Sequence, residues 1–180
     1  LQTATGMPVN DPQLANLRDN IERSYNTNNL KAIDSIRLAI LNIGETAAED
    51  SARRDLATYL AAYARLRQSL LVADDKVLAS SYLEDCIIGL KGLLERRDDA
   101  QARALLGSCY GASTRYHFIG GAWRGLEAGR QIAKAVEQAP DNAWVVFQDG
   151  VSDYETPPMV GGNKKRAIGK LRRAAALFSQ

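Results

Sequence analysis

The side chains best suited to catalysis in this sequence are one histidine and two cysteines. His117 is the sole histidine, so any mechanism that pairs a serine or cysteine nucleophile with an imidazole base has to use it. Cys109 precedes it on what the pattern predicts to be one helix, about 12 Å away along the axis at 1.5 Å per residue. That distance is too long for a nucleophile and its base, or for two ligands of one zinc ion. The sequence therefore indicates a protein that is not an enzyme, and catalysis at His117 is the least favoured of three functions.

Acidic residues stand side by side at several places, and three of these pairs could be read as acid–base pairs. They are Glu49-Asp50, Glu84-Asp85 and Asp98-Asp99. Each pair falls at a predicted helix start or on a polar face, where capping and solvation explain carboxylates better than catalysis does. Neither CxxC nor HExxH occurs, so we predict no metal and no cofactor.

A basic segment near the end of the chain is the second candidate for chemistry. Six cations follow a glycine pair with no acid among them: Lys164, Lys165, Arg166, Lys170, Arg172 and Arg173. An anion at the start of that helix would relieve their repulsion with the helix dipole, and the amides of Gly162 and Asn163 would point at it. An anion or nucleic-acid site at Gly162, Asn163, Lys164, Lys165 and Arg166 is therefore the alternative function. A solvated basic face explains the same residues and is favoured over it.

Composition limits the class of protein. The chain has 180 residues, 46% of them apolar, and a net charge of +2, which gives a mixed surface with no overall attraction to nucleic acid. No apolar run approaches the roughly 20 residues that span a bilayer, so we predict no membrane insertion. The first residues, LQTATGMPVN, are small and polar, as is common in mature exported proteins. We expect a periplasmic or secreted location, with a cytoplasmic one as the alternative.

Caps and apolar spacing predict eight helices and no sheet. Predicted starts lie at Asp11, after the polar link Asn26 to Asn29, near Ala48, at Asp74 or Asp75, at Asp98 or Asp99, after Gly120-Gly121, at Asp141 or Asn142, and at Asn163. The second helix is expected to stop near Gly44. No segment shows sustained alternation of apolar and polar residues, which is the pattern of a half-buried strand.

A shift of 41 residues brings one part of the chain onto another. Leu106 then falls on Phe147, and Gly120-Gly121 falls on Gly161-Gly162. Leu106 to Tyr110 reads LGSCY, and Ile132 to Asn142 reads IAKAVEQAPDN. The first resembles the L-G-x-x-Y element of a tetratricopeptide first helix, and the second resembles the end of such a repeat. The chain is similar to divergent bacterial members of that family whose loops carry a proline and a glycine pair, among them exported solute-transport accessory proteins.

The stretch Tyr154 to Lys165, YETPPMVGGNKK, breaks the helical pattern most strongly. Pro157 and Pro158 discourage helix, and glycine can take the positive φ of a tight reversal. We interpret it as a structural connector in which Met159 and Val160 fold back over the helix ends as an apolar plug. Phe118 and Ile119 would do the same one repeat earlier. A binding loop is the alternative.

Cys86 and Cys109 are nearly equidistant from the predicted turn near residues 97 and 98. In an antiparallel hairpin they would lie at the same height, so a disulfide between them is possible if the helices cross closely. Two buried thiols are the favoured alternative. If the bridge exists, the protein is exported.

The predicted fold is one all-α domain over 1-180, a right-handed array of four tetratricopeptide-like hairpins at about 12-43, 48-97, 99-139 and 142-178. Such arrays expose a concave surface lined by the first helix of each hairpin. The leading function is non-catalytic recognition of a peptide, a protein partner or a small solute on that surface. Its expected wall residues are Tyr59, Tyr63, Arg67, Arg103, Ser108 and Tyr154. Core packing is an equally good interpretation of each tyrosine.

Overall fold

The computed structural model describes residues 11–47, 51–117 and 119–179, and these residues fold into helices without a strand. The all-α prediction is thereby confirmed. Within these ranges lie eight α-helices: α1 (Pro12–Asn26), α2 (Leu30–Thr46), α3 (Ser51–Leu71), α4 (Lys76–Arg96), α5 (Ala100–Ser113), α6 (Gly121–Gln138), α7 (Ala143–Glu155) and α8 (Lys164–Phe178). In these ranges, every helix is too short or too polar to cross a bilayer.

Side-chain caps fix most of the helix starts where the sequence predicts them. Asp11, Asn29, Asp75, Asp99, Asn142 and Asn163 each accept a hydrogen bond from a backbone N–H in the first turn. Helix α2 ends at Thr46, two residues beyond the Gly44 near which the sequence predicts its end. A Cβ on Gly44 would lie 3.1 Å from the Cβ of Ala57, so this glycine serves the close approach of α2 and α3 rather than a helix end.

The contacts of the chain divide into two compact units, with the division between Arg97 and Asp98. That division coincides with a predicted hairpin boundary. In the N-terminal unit, α3 contacts α1, α2 and α4. Its residues from Leu56 to Ala64 are buried, apart from the half-buried Thr58. The core of this unit is therefore built around α3.

The C-terminal unit contains two hairpins, α5–α6 and α7–α8, and α7 contacts both helices of the first hairpin. A buried cluster joins Ala100 and Ala104 of α5 with Ile132 and Ala135 of α6 and Val145 of α7. The starts of α5 and α7 therefore lie at the same end of the unit. Further along, Ser108 on α5 donates a hydrogen bond to Gln148 on α7 at 2.6 Å, so the two helices run parallel.

The α7–α8 connection is an ordered loop, but it is not the apolar plug that the sequence suggested. Met159 and Val160 are 90% and 68% exposed, and Ile119 in the corresponding position is 97% exposed. Phe118 lies outside the described residues. The plug prediction is therefore wrong: a single 3-10 turn at Pro158–Val160, closed by backbone hydrogen bonds, turns these side chains outward.

Backbone geometry explains the glycines of this loop. Gly161 has φ of 99°, in the left-handed region that side chains rarely adopt. A Cβ on Gly162 would lie 1.8 Å from the carbonyl oxygen of Thr156, which is far inside van der Waals contact. The loop is thus held by its backbone, and its apolar tip contributes nothing to the core.

Candidate functional site

Two of the predicted wall residues are core residues. Tyr59 and Tyr63 on α3 are only 7% and 3% exposed, so they offer no surface to a ligand, and their assignment to a binding wall is corrected. Burial raises the pKa of Tyr63, and the nearby Arg67 opposes this only in part. The phenol therefore stays neutral and donates a hydrogen bond to Glu22 at 2.6 Å.

Arg67 completes the same cluster. Its guanidinium donates to both carboxylate oxygens of Glu22 at 2.9 Å and lies 4.6 Å from the centre of the Tyr25 ring. Glu22 and Tyr25 belong to α1, whereas Arg67 belongs to α3. This arrangement holds α1 against α3. It also occupies the guanidinium N–H groups of Arg67 that would otherwise bind a ligand.

Other polar groups of the N-terminal unit are paired in the same way. Asp55, which is 4% exposed, accepts a hydrogen bond from Arg96 at 3.1 Å. Arg65 bridges Asp34 at 3.6 Å and Asp85 at 2.9 Å. These contacts join α2, α3 and α4. They give Asp85, which belongs to one of the paired acids in the sequence, a structural role.

The wall candidates of the C-terminal unit also hold helices together. Arg103 on α5 donates to Asp98 at 2.6 Å and to Gln131 on α6 at 3.0 Å. Ser108 donates to Gln148, as described above. Tyr154 differs from the others, because it is 45% exposed at the end of α7 and has the ammonium group of Lys164 at 5.2 Å from its ring centre.

The anion site predicted at the start of α8 is already occupied by protein groups. The Gly162 amide donates to the carbonyl of Pro157, and the Asn163 amide donates to the carbonyl of Asp153, each at 3.2 Å. The Asn163 side chain accepts from the amide of Arg166 at 2.9 Å. The prediction that these amides await an anion is therefore wrong, because the loop uses them to close itself.

Two of the six cations of α8 are neutralised by carboxylates of α7. Arg166 pairs with Asp153 through both carboxylate oxygens, and Lys170 lies 2.8 Å from Asp149 and from Asp153. Hydrogen bonds from Arg166 hold the pKa of Asp153 down at about 2. The sequence analysis did not predict these ion pairs. They could have been predicted, because two acids four residues apart on one helix can face two cations four residues apart on an antiparallel neighbour.

The exposed residues around the α7–α8 connection form what we call the loop surface: Tyr154, Met159, Val160 and Lys164. Two apolar side chains, one aromatic ring and one ammonium group stand on a backbone that cannot relax easily. Arg166 reinforces it by donating to the carbonyl of Gly161 at 2.9 Å. The loop surface can bury apolar area and attract a carboxylate without prior ordering of its own chain.

A second exposed apolar surface lies on α6. We call it the α6 stripe, and it comprises Ile119 in the turn before the helix and Ala122, Leu126, Gly129 and Ala133 within it. Leu126 is 59% exposed, and the neighbouring Trp123 is 56% exposed. The opposite face of the helix, with Ala128 and Ile132, is buried. The sequence shows both apolar faces of α6 but not which of them is covered.

The structure places His117 outside the helix that carries Cys109. His117 follows a 3-10 turn after the end of α5, so it is not on the same helix as Cys109. Cys86 and Cys109 are fully buried, and neither is a free thiol. Within the described ranges, no three histidine, cysteine or acidic side chains are grouped to hold a metal ion.

The sequence matches no protein-family model, and it finds no significant match among curated proteins or among solved structures.

Proposed function

We propose that the chain is a non-catalytic recognition module that binds a peptide or a protein partner through the loop surface. The class of function is the one that the sequence predicts. The surface is a different one, because the predicted wall residues are buried or are paired with other side chains of the chain. Tyr154 is the one predicted wall residue that also belongs to the loop surface.

One observation carries this proposal: Met159 is 90% exposed on a loop that its own backbone hydrogen bonds close. Exposed apolar side chains grouped on a soluble protein mark interaction sites more often than chance positions. Burying one side chain of this size contributes about 1.5 to 3 kcal/mol to binding if it is fully covered. A rigid loop adds to the affinity, since little conformational entropy is lost when the partner binds.

The charge of the loop surface favours a partner with a carboxylate near its apolar residues. Lys164 and Lys165 are both exposed, and Glu155 is the exposed acid nearest to them in the chain. Further along α8, Arg166 and Lys170 pair with acids of α7, and Arg173 pairs with Asp141. We therefore place recognition at the loop tip rather than along a polyanion-binding helix.

The experiment is a selection of displayed 12-residue peptides on the full chain, followed by titration of the selected peptides by fluorescence anisotropy. Replacing Met159 and Val160 together by serine should weaken the selected peptides about tenfold or more. Val77→Ser is the matched control, because Val77 is 83% exposed in the N-terminal unit. Peptides that bind the double variant as tightly as the wild type would refute the loop surface as the site.

We also propose the right-handed, tetratricopeptide-like arrangement of hairpins that the sequence predicts. The parallel course of α5 and α7, and the contacts of α7 with both helices of the preceding hairpin, support it. Export to the periplasm or the medium is likewise a proposal, supported by the absence of a free thiol at Cys86 and Cys109. Peptide mass mapping without reduction tests the bridge on which it depends.

A further inference from the structure

The sulfur atoms of the chain differ in their access to solvent. The sequence has two cysteines and two methionines. Cys86 and Cys109 are 0% exposed and neither is a free thiol, whereas Met159 is 90% exposed. Met7 lies outside the described residues. Among the sulfur atoms that the structure describes, the thioether of Met159 is therefore the one that a dissolved oxidant can reach.

The position of Met159 allows its side chain to change without cost to the fold. It stands on the 3-10 turn Pro158–Val160, which backbone hydrogen bonds of 3.0 and 3.1 Å close. Main-chain atoms alone make those bonds, so a modified side chain leaves them in place. Oxidation of a methionine commonly damages a protein because it puts a polar sulfoxide into a core. At Met159 the sulfoxide would instead stand in solvent.

We infer that Met159 is an oxidation site through which peroxide lowers the affinity of the loop surface for its partner. The thioether sulfur attacks one oxygen of hydrogen peroxide, the O–O bond breaks and an S–O bond forms. The released hydroxide takes the proton of the transferred hydroxyl group and leaves as water. The sulfur is thus oxidised to the sulfoxide, and the peroxide is reduced. The loss of affinity rests on the proposed function, whereas the oxidation itself does not.

The sulfoxide removes what Met159 offers a partner. Met159 and Val160 supply most of the exposed apolar side chain of the loop surface. A sulfoxide oxygen is a hydrogen-bond acceptor, and burying it against an apolar group is unfavourable. Because the methionine no longer contributes apolar burial, a bound peptide should be weakened about tenfold or more.

The same contact should protect the sulfur. A peptide that covers Met159 shields the thioether, so oxidation proceeds only in the molecules whose site is free. With enough peptide to bind about nine-tenths of the protein, oxidation should therefore be about tenfold slower. This protection links the modification to the loop surface without any substitution in it.

The experiment uses the full chain with Met7→Leu, so that Met159 is its one methionine. Hydrogen peroxide is added, and peptide mass mapping follows the gain of one oxygen at Met159 with time. We expect a rate within about threefold of that of N-acetylmethionine amide, because the side chain is 90% exposed. The melting temperature of the oxidised protein should stay within about one degree of that of the untreated protein.

Binding is then compared after catalase has removed the peroxide. Peptides selected on the loop surface, chosen to lack methionine and cysteine, should bind the oxidised protein about tenfold or more weakly. Met159→Leu in the same background is the matched control, because it has no thioether at this position. Its own affinity for the peptides should be the same before and after peroxide, and a loss there would assign the effect to another group and overturn the inference.

Other results would also overturn it. They are oxidation more than about tenfold slower than that of the reference amide, a melting temperature lowered by several degrees, no protection by bound peptide, or equal affinity before and after oxidation. If the joint replacement of Met159 and Val160 by serine weakens the peptides but oxidation does not, the loop surface stands and the oxidation site falls. A selection that yields no peptide sensitive to that double variant would refute both.

Discussion

The C-terminal unit has two connections that contain a glycine pair, one between α5 and α6 and one between α7 and α8. Both contain the same kind of turn, but the backbone constrains their glycines differently. Each contains a single 3-10 turn, Thr114–Tyr116 in the first and Pro158–Val160 in the second. In each, the second glycine faces the carbonyl oxygen of a threonine at the end of the preceding helix. The virtual Cβ lies 2.9 Å from that oxygen at Gly121 but 1.8 Å at Gly162. The same glycine pair therefore packs more tightly against the preceding helix in the second connection than in the first.

The first glycines of the two pairs differ as well. Gly161 has a positive φ of 99°, whereas Gly120 has φ of −101°, which any residue can adopt. Arg166 and Asp153 clamp the second connection, and a shift of 41 residues places Gly125 and Ala112 at the corresponding positions of the first. The second connection is thus the more constrained, which is what a surface held ready for a partner requires.

The largest expected effect is at the second glycine of the second pair. Gly162→Ala forces a methyl group against the Thr156 carbonyl and has to move backbone, so we expect a loss of about 4 kcal/mol or more in the free energy of unfolding. Gly121→Ala should cost about 1 to 3 kcal/mol, because its contact is less severe. Urea unfolding of both variants measures the difference, and equal losses would show that the two connections are equally tight.

The ion pair that clamps the second connection predicts a pH dependence. The pKa of Asp153 is lowered to about 2 by Arg166, below its value in the unfolded chain. The carboxylate therefore stabilises the fold above about pH 4, and this contribution is lost as the pH falls toward 2. Between pH 5 and pH 2, the wild type should lose about 2 kcal/mol more stability than Asp153→Asn does. Parallel stability curves for the two proteins would contradict the clamp.

A smaller difference is expected between the first glycines. Gly161→Ala places a side chain at positive φ and should cost about 1 to 2 kcal/mol. Gly120→Ala meets open space at an ordinary φ and should be neutral, or stabilising by up to about 1 kcal/mol, because the unfolded chain loses freedom. Thermal melts of the two variants decide this, and a loss at Gly120 equal to that at Gly161 would contradict the assignment.

The smallest effect concerns the tip of the loop. Met159→Ser should leave the melting temperature within about one degree of the wild type, because the side chain is 90% exposed. Leu105→Ala is the buried comparison: Leu105 is 0% exposed, and its truncation should cost about 2 to 5 kcal/mol. A drop of several degrees for Met159→Ser would restore the plug interpretation.

The sequence predicts the helices well and the loops in part. Asp11, Asp75, Asn142 and Asn163 cap helices as expected, since a cap is a local interaction between near neighbours. The strained reversal at Gly161 was likewise foreseeable from glycine and proline. The outward direction of Met159 was not, because the types of residue in a loop do not say whether its tip turns toward the core.

The candidate sites were harder to foresee because they depend on neighbours distant in sequence. Tyr59 and Tyr63 carry a helical pattern that fits either a wall or a core, and only the position of α3 between its neighbours decides for the core. The pairing of Arg166 with Asp153 could have been found by setting α7 and α8 antiparallel. The exposure of Leu126 could not, since both faces of α6 are apolar in sequence.

Hydrogen–deuterium exchange of the full chain, with and without a peptide selected on it, tests most directly whether the loop surface is the site of recognition. We predict that the bound peptide slows exchange of backbone amides within residues 154–165 and leaves residues 59–67 and 100–108 unchanged. Slowed exchange in α3 or α5 with none in 154–165 would contradict the account and return recognition to the first helices of the hairpins.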